Sequence, residues 1–187
     1  RSSTVKACPS FYDIFHLGYV LPMWTDTLVK IDEETYSITS SDDRMPISGP
    51  HGDAKYHQWL PDNEKERCVK IIKFVCPWKI KTPAGYSIFQ LPMFYHFNPD
   101  FYVLTGVLDT YIEHQFNPQI IFNRTGEFLI KRGTPLAMYI PIRTEEFDLV
   151  VREETKEDAD AFKKQDYALA AVFNSKMKKY EKILECR

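Results

Sequence analysis

Glycine and cysteine are scarce in this chain of 187 residues, and neither is arranged as a binding loop or a staple. Its seven glycines are scattered, so no Walker loop and no dinucleotide fingerprint can be built from them. The densest group, Gly49-Pro50-His51-Gly52, is too short to cradle a phosphate, and no helix is expected to follow it. The four cysteines, Cys8, Cys68, Cys76 and Cys186, contain no Cys-x-x-Cys pair, and their spacing fits neither a zinc framework nor a disulfide scaffold. They read as reduced thiols of a cytosol-like compartment. Cys8-Pro9 precedes a helical pattern whose dipole can activate a thiol, but a buried or cap-adjacent cysteine is the plainer account.

Charge of one sign is lacking too. Twenty-four basic residues face 26 acidic ones, a formal charge of -2 spread along the chain, which disfavours nucleic-acid binding driven by counterion release. No apolar run reaches the roughly 18 residues of a membrane span, so no membrane partner is expected. The first six residues lack the apolar core of a signal peptide, as a mature chain would. Also missing are a Ser-His-Asp elbow and a zinc-protease helix.

What the chain does have is apolar and aromatic residues, 44% and 14%, a share that excludes disorder and points to thick β packing or an aromatic interface. The length suits one core better than two, so residues 1–187 are expected to form a single domain. Its parts are an N-terminal helical region over 1–19, a β core over 20–152 with a loop at 40–53, and a C-terminal helix over 155–185.

Apolar runs alternate with turn residues at strand-like spacing throughout 78–143, which reads as a β-meander. Residues 79–86 read as a short strand running into a turn, and further strands are expected at 87–93, 101–108, 119–123, 128–130 and 136–142. Lys131-Arg132-Gly133-Thr134-Pro135 is the turn between the last two. Upstream, 26–32 and 35–39 alternate as a hairpin about Asp32-Glu33-Glu34, 69–76 is a further strand, and Pro22 puts 19–24 at an edge or bulge. Residues 54–60, carrying His57 and Trp59, read as strand or helical turn, and 147–152 as a final strand.

Two helices are expected. Phe11, Ile14, Phe15 and Leu17 share one face of a short helix with Ser10 as N-cap and Gly18 as stop. Thr155 caps a long amphipathic helix with Glu157 and Asp158 in its first turn and lysines near its far end. Such a helix is expected to pack across a sheet or against a neighbouring subunit.

Gly106-Val107-Leu108-Asp109-Thr110, Phe128-Leu129-Ile130-Lys131-Arg132-Gly133, Leu136-Ala137-Met138-Tyr139-Ile140 and the turn Pro83-Ala84-Gly85-Tyr86 together resemble the motifs of the dUTPase and dCTP-deaminase-like β-clip family. The resemblance implies a folded-over β-clip barrel or sandwich, and a homo-oligomer, a trimer first of all. It also implies a catalytic aspartate at Asp109, acting with magnesium on a nucleotide. The chain departs from the family where Leu91-Pro92-Met93-Phe94-Tyr95 replaces the Arg-Ser loop that binds phosphate. It departs again at Tyr111 and Ile112, which match neither the second aspartate nor the tyrosine, and where a charged helix stands in place of the glycine-rich arm. Ala7-Cys8-Pro9-Ser10-Phe11, with Trp78-Lys79-Ile80-Lys81-Thr82-Pro83-Ala84-Gly85-Tyr86-Ser87 and Gly133-Thr134-Pro135-Leu136, also resembles a protein family of large tailed phages of marine bacteria. That resemblance implies the host cytoplasm or the virion as location.

Three sets of residues can carry chemistry. Asp109 is the candidate general base, against a turn aspartate that hydrogen-bonds its own backbone. Tyr95, Tyr111 and Tyr86 are candidates to stack a flat small-molecule ligand, against aromatic residues in a core. His96 and His114 with Glu113 are candidate ligands of a single metal ion, against ordinary loop residues. The expected function is a non-catalytic oligomeric binding or assembly protein. The alternatives are a divergent nucleotide hydrolase or deaminase using Asp109, and a mononuclear metalloprotein using His96 and His114.

Overall fold

A computed structural model describes residues 7–42, 48–49, 58, 60–112 and 114–185, and of Ser48, Gly49, His114, Asp166 and Tyr167 the backbone alone. Contacts divide the chain into two compact units, residues 18–144 and a unit made of the N-terminal residues to 17 with 145–187.

The first unit is mainly β, and every strand pairing within it is antiparallel. One sheet holds β1 (Tyr19–Pro22), β13 (Pro135–Arg143), β7 (Tyr86–Leu91) and β9 (Gly106–Leu108), in that order. A second holds β4 (Ser48–Gly49), β5 (Lys70–Phe74), β11 (Gln119–Phe122) and β8 (Phe101–Val103). The third is β12 (Gly126–Ile130), β2 (Thr27–Ile31) and β3 (Tyr36–Ser40), and a short ribbon pairs β10 (His114–Gln115) with β6 (Lys79–Ile80). The helix α2 (Asp62–Lys65) precedes β5. Each sheet is open, so the barrel form of the expectation is replaced by layered sheets: no ring of strands closes among the described residues.

The three larger sheets share one core. Leu21, Ile88 and Tyr139 from the first, Phe74, Ile120 and Phe122 from the second, and Val29, Phe128 and Ile130 from the third belong to the same buried cluster. Burying each such side chain stabilises the fold by about 1.5–3 kcal/mol. The ring of Phe122 lies 5.6 Å from that of Phe101 and 5.2 Å from that of Phe128, which ties two sheets together through aromatic contact. In β2 burial alternates, with Thr27, Val29 and Ile31 inward and Lys30 out. In β5 and β11 adjacent isoleucines are both buried, because Ile71 and Ile121 form a second small cluster with Cys68 on the opposite face.

Several expectations are met closely. The 26–32 and 35–39 hairpin is β2 and β3, and the register slips between Leu21 and Pro22 at the sheet edge where proline cannot donate. Gly133 takes φ +86° in the 131–135 turn, a conformation that costs a side chain and suits glycine, and its N–H donates to Met23 O at 2.8 Å.

Two strand readings are corrected. The run 101–108 is two strands in different sheets, β8 and β9, and the chain crosses between them at Leu104 and Thr105. There Leu104 N–H donates to Gln119 O at 2.8 Å, and its carbonyl accepts from Gln90 Nε2 at 2.7 Å, so the break leaves neither group unpaired. Residues 147–152 form no strand, and Phe147, Leu149, Val150 and Val151 are exposed. The expected loop over 40–53 falls largely outside the described residues, with Ser48–Gly49 paired to β5. The readings at His57, Trp59, Cys186 and the Gly49 to Gly52 loop fall outside them too, apart from the short β4 strand at Ser48–Gly49.

The second unit is a pair of helices, α1 (Pro9–Ile14) and α3 (Lys156–Glu185). The N-cap of α1 is Cys8 rather than Ser10, because Pro9 takes the first helical position, where its missing N–H costs nothing. Thr155 caps α3 as expected: its Oγ1 accepts from Asp158 N–H at 3.2 Å, while Asp158 Oδ2 accepts from Thr155 N–H at 3.0 Å. Arg152 also pairs with Asp158, and the three contacts hold that carboxyl below the usual carboxylate range, Arg152 first among them. Where the helices meet, Tyr12 stacks on Tyr180 at 4.1 Å, Tyr180 Oη donates to Asp13 Oδ1 at 2.5 Å, and Lys176 Nζ lies 3.5 Å from Asp13 Oδ2. No helix among the described residues is long and apolar enough to cross a membrane.

Candidate functional site

The turn after β9 is built on a threonine. Thr110 is fully buried, its carbonyl accepts Thr82 N–H at 2.9 Å, and its hydroxyl lies 2.8 Å from that of Thr82. Thr82 Oγ1 in turn donates to Tyr86 O at 2.9 Å, so the turns before β7 and after β9 are locked to one another. β7 and β9 pair with Ile88 opposite Leu108, and continuing that register puts Asp109 opposite Ser87 and Thr110 opposite Tyr86.

This arrangement brings Tyr86, Asp109 and Tyr111 to one end of the first sheet. Tyr86 Oη accepts from Arg143 Nε at 3.2 Å, and the guanidinium carbon lies 5.9 Å from the ring centre. Asp109 is exposed, and its Oδ1 accepts Tyr111 N–H at 3.3 Å, the backbone-capping geometry of a turn aspartate. Tyr111 is about half exposed, at 52%. A general base needs a held substrate within hydrogen-bond reach. No ion pair among those resolved at the described residues involves Asp109.

Tyr95 and His96 lie past the opposite end of β7, in the turn that follows Leu91. Six residues of strand separate the two groups, about 20 Å at the usual rise. Tyr95 therefore cannot share one flat ligand with Tyr86 and Tyr111. Its backbone sits at φ +57°, the left-handed region that a tyrosine seldom adopts, its ring is half exposed, and Phe97 two residues on is exposed at 89%. His96 N–H donates to Met93 O at 3.4 Å, closing the turn. Beneath it, His96, Asn98, Phe101 and Leu136 line a hollow of about 20 Å³, room for a single water and too small for a nucleobase.

His114 belongs to β10, whose only described partner is β6, so the two candidate imidazoles stand on elements that are not hydrogen-bonded neighbours. Glu113 and the His114 side chain lie outside the described residues. Among the described residues no three of His, Cys, Asp and Glu gather as a metal ion would require.

The polar group that sequence reasoning passed over is internal. Gln90 and Tyr139 are buried, and Tyr139 Oη donates to Gln90 Oε1 at 2.8 Å while Gln90 Nε2 serves the Leu104 carbonyl. Burial pushes the Tyr139 hydroxyl well above the ordinary tyrosine range, so it stays a neutral donor. The signal was present in Ile88-Phe89-Gln90-Leu91, where one amide interrupts an apolar strand. No known family model, no curated protein and no solved structure matches this chain.

Proposed function

We propose that this chain is a non-catalytic binding or assembly protein on a β-clip-like body, forming homo-oligomers, a trimer first of all, and encoded by a large tailed phage. The observation that carries the first part is the state of Asp109. The one carboxylate at the position of the resembled catalytic aspartate faces solvent and caps the amide of Tyr111. The segment that stands in for the phosphate-binding loop, residues 91–95, brings proline, methionine and two aromatic rings in place of arginine and serine. Phosphoryl chemistry needs charge stabilisation at the transferring group, and neither stretch supplies it.

The test is pyrophosphate release from each common deoxynucleoside triphosphate and from dUTP, with magnesium present. Release no faster than in buffer is expected. Turnover on the order of 1 s⁻¹ would overturn the non-catalytic reading. If that turnover then vanished in Asp109→Asn, the divergent hydrolase would take its place.

A further inference from the structure

Residues 147–151 read Phe-Asp-Leu-Val-Val, and in this chain their four apolar side chains are 78–88% exposed. Such a segment has the β-branched, alternating character of a strand, yet it pairs with none among the described residues. The third sheet, meanwhile, ends in β12, a five-residue strand without proline whose only described partner is β2. We propose that residues 147–151 of one copy add an antiparallel strand to the outer edge of β12 in a second copy. The proposal rests on the homo-oligomeric part of the reading above, for which it supplies the contact.

Register and charge select this pairing. With Leu149 set opposite Phe128, Phe147 comes opposite Ile130, and the apolar residues Phe147, Leu149 and Val151 prolong the core-facing side on which Phe128 and Ile130 are buried. Asp148 and Val150 then fall on the outer side with Leu129 and Glu127, both exposed. The same register sets Glu146 opposite Lys131 and Glu145 opposite Arg132. The parallel alternative places Arg152 opposite Lys131, a like-charge pair that costs stability. Addition of a strand to a sheet edge pairs its main-chain groups, while alternate side chains set specificity.

Area points the same way. The three inward side chains, Phe147, Leu149 and Val151, expose on the order of 400 Å², taking phenylalanine at about 200 Å² and the aliphatic ones at less. A tail and the edge that receives it bury about twice that, on the order of 800 Å² in one contact, and a closed exchange repeats the contact at every copy, so that the assembly as a whole passes the roughly 1,000 Å² of a specific interface.

The experiment uses the full chain with Cys8→Ser and Cys186→Ser. Chains carrying Glu127→Cys are mixed with chains carrying Val150→Cys, residues that face one another in this register, and oxidised. A disulfide between the two chains is expected, with none when the acceptor is Val107→Cys on the edge of a different sheet. In sedimentation, Leu149→Asp is expected to raise the self-association constant for dissociation roughly tenfold or more. Glu146→Lys and Lys131→Glu should each weaken association, and both together in one chain should restore it.

No bond between 127 and 150, or a bond only within one chain, overturns the strand exchange. An oligomer that Leu149→Asp leaves intact overturns it while the homo-oligomer stands. A chain monomeric at every concentration overturns both. Nucleotide turnover strikes the non-catalytic reading alone.

Discussion

The β unit and the helical unit use apolar residues in opposite ways. In residues 18–144, Ile72, Phe74, Ile121 and Phe122 are wholly removed from water, and three sheets converge on one cluster. In α3, Phe162, Leu169 and Val172 stay more than half exposed although they recur at helical spacing, and the contacts to α1 centre on Asp13, Tyr12 and Tyr180. A periodic apolar pattern therefore certifies that a face exists. Whether that face is covered by its own chain is a separate matter, decided by what the topology brings against it.

The largest test of this contrast sets Phe122→Ala against Phe162→Ala. Removing Phe122 leaves a cavity between two sheets and should cost about 3–5 kcal/mol in urea unfolding, whereas Phe162→Ala should stay within about 0.5 kcal/mol. Equal effects would erase the distinction between the units.

Two glycines sharpen it within the β unit. A Cβ on Gly18 would meet the Tyr139 carbonyl oxygen at 2.2 Å, main chain that cannot swing aside, so Gly18→Ala should destabilise by about 1–3 kcal/mol. Gly106 has nothing within 4 Å of that position, and Gly106→Ala should be neutral or stabilise by about 0.4–1 kcal/mol. Thermal midpoints of the two variants moving in the same direction by the same amount would contradict both assignments.

Tyr139→Phe comes next. It removes the donor to Gln90 Oε1 and leaves that acceptor buried, at a cost of about 1–2 kcal/mol; Gln90→Leu should cost at least as much by itself because it also unpairs the Leu104 carbonyl, and the double variant should lose less than the sum of the two.

The smallest effect concerns the helical unit and pH. Tyr180, then Lys176, hold the Asp13 carboxyl below its usual range, and Arg152, then Thr155, do the same for Asp158. A carboxyl depressed in the folded state favours folding fully above the unfolded value, near 3.8, and loses that contribution as pH falls through the folded one. Helical ellipticity should therefore hold from pH 7 to about pH 4 and decline below it. Tyr180→Phe should shift the Asp13 part of that decline upward, and an unchanged titration would remove the contact from the account.

Much of the β unit was readable in advance because its rules are local. Alternation in Thr27-Leu28-Val29-Lys30-Ile31, the acidic turn at Asp32, the proline at 22 and the glycine at 133 each dictate a short-range outcome, and each outcome is observed. The failures were long-range. The run 101–108 has unbroken strand character, and the break at Leu104 exists because Gln119 and Gln90, both distant in sequence, hold its two main-chain groups. Residues 147–152 have strand propensity and no strand, since propensity supplies no partner. The candidate site divides likewise. Asp109 and Tyr111 were placed together by adjacency, whereas the distance between Tyr86 and Tyr95 follows from β7 lying between them. The Thr82–Thr110 pair joins residues 28 positions apart, with no cue in either neighbourhood.

Cys76 is completely shielded from solvent, its N–H donates to Phe116 O at 3.0 Å, and burial pushes its thiol up to about 11. At neutral pH such a sulfur is protonated and out of reach, so an alkylating reagent can modify it only during moments when the sheets part. The protein thus carries its own stopwatch: the rate of mass gain at this one sulfur, followed under native conditions, counts how often the β unit opens.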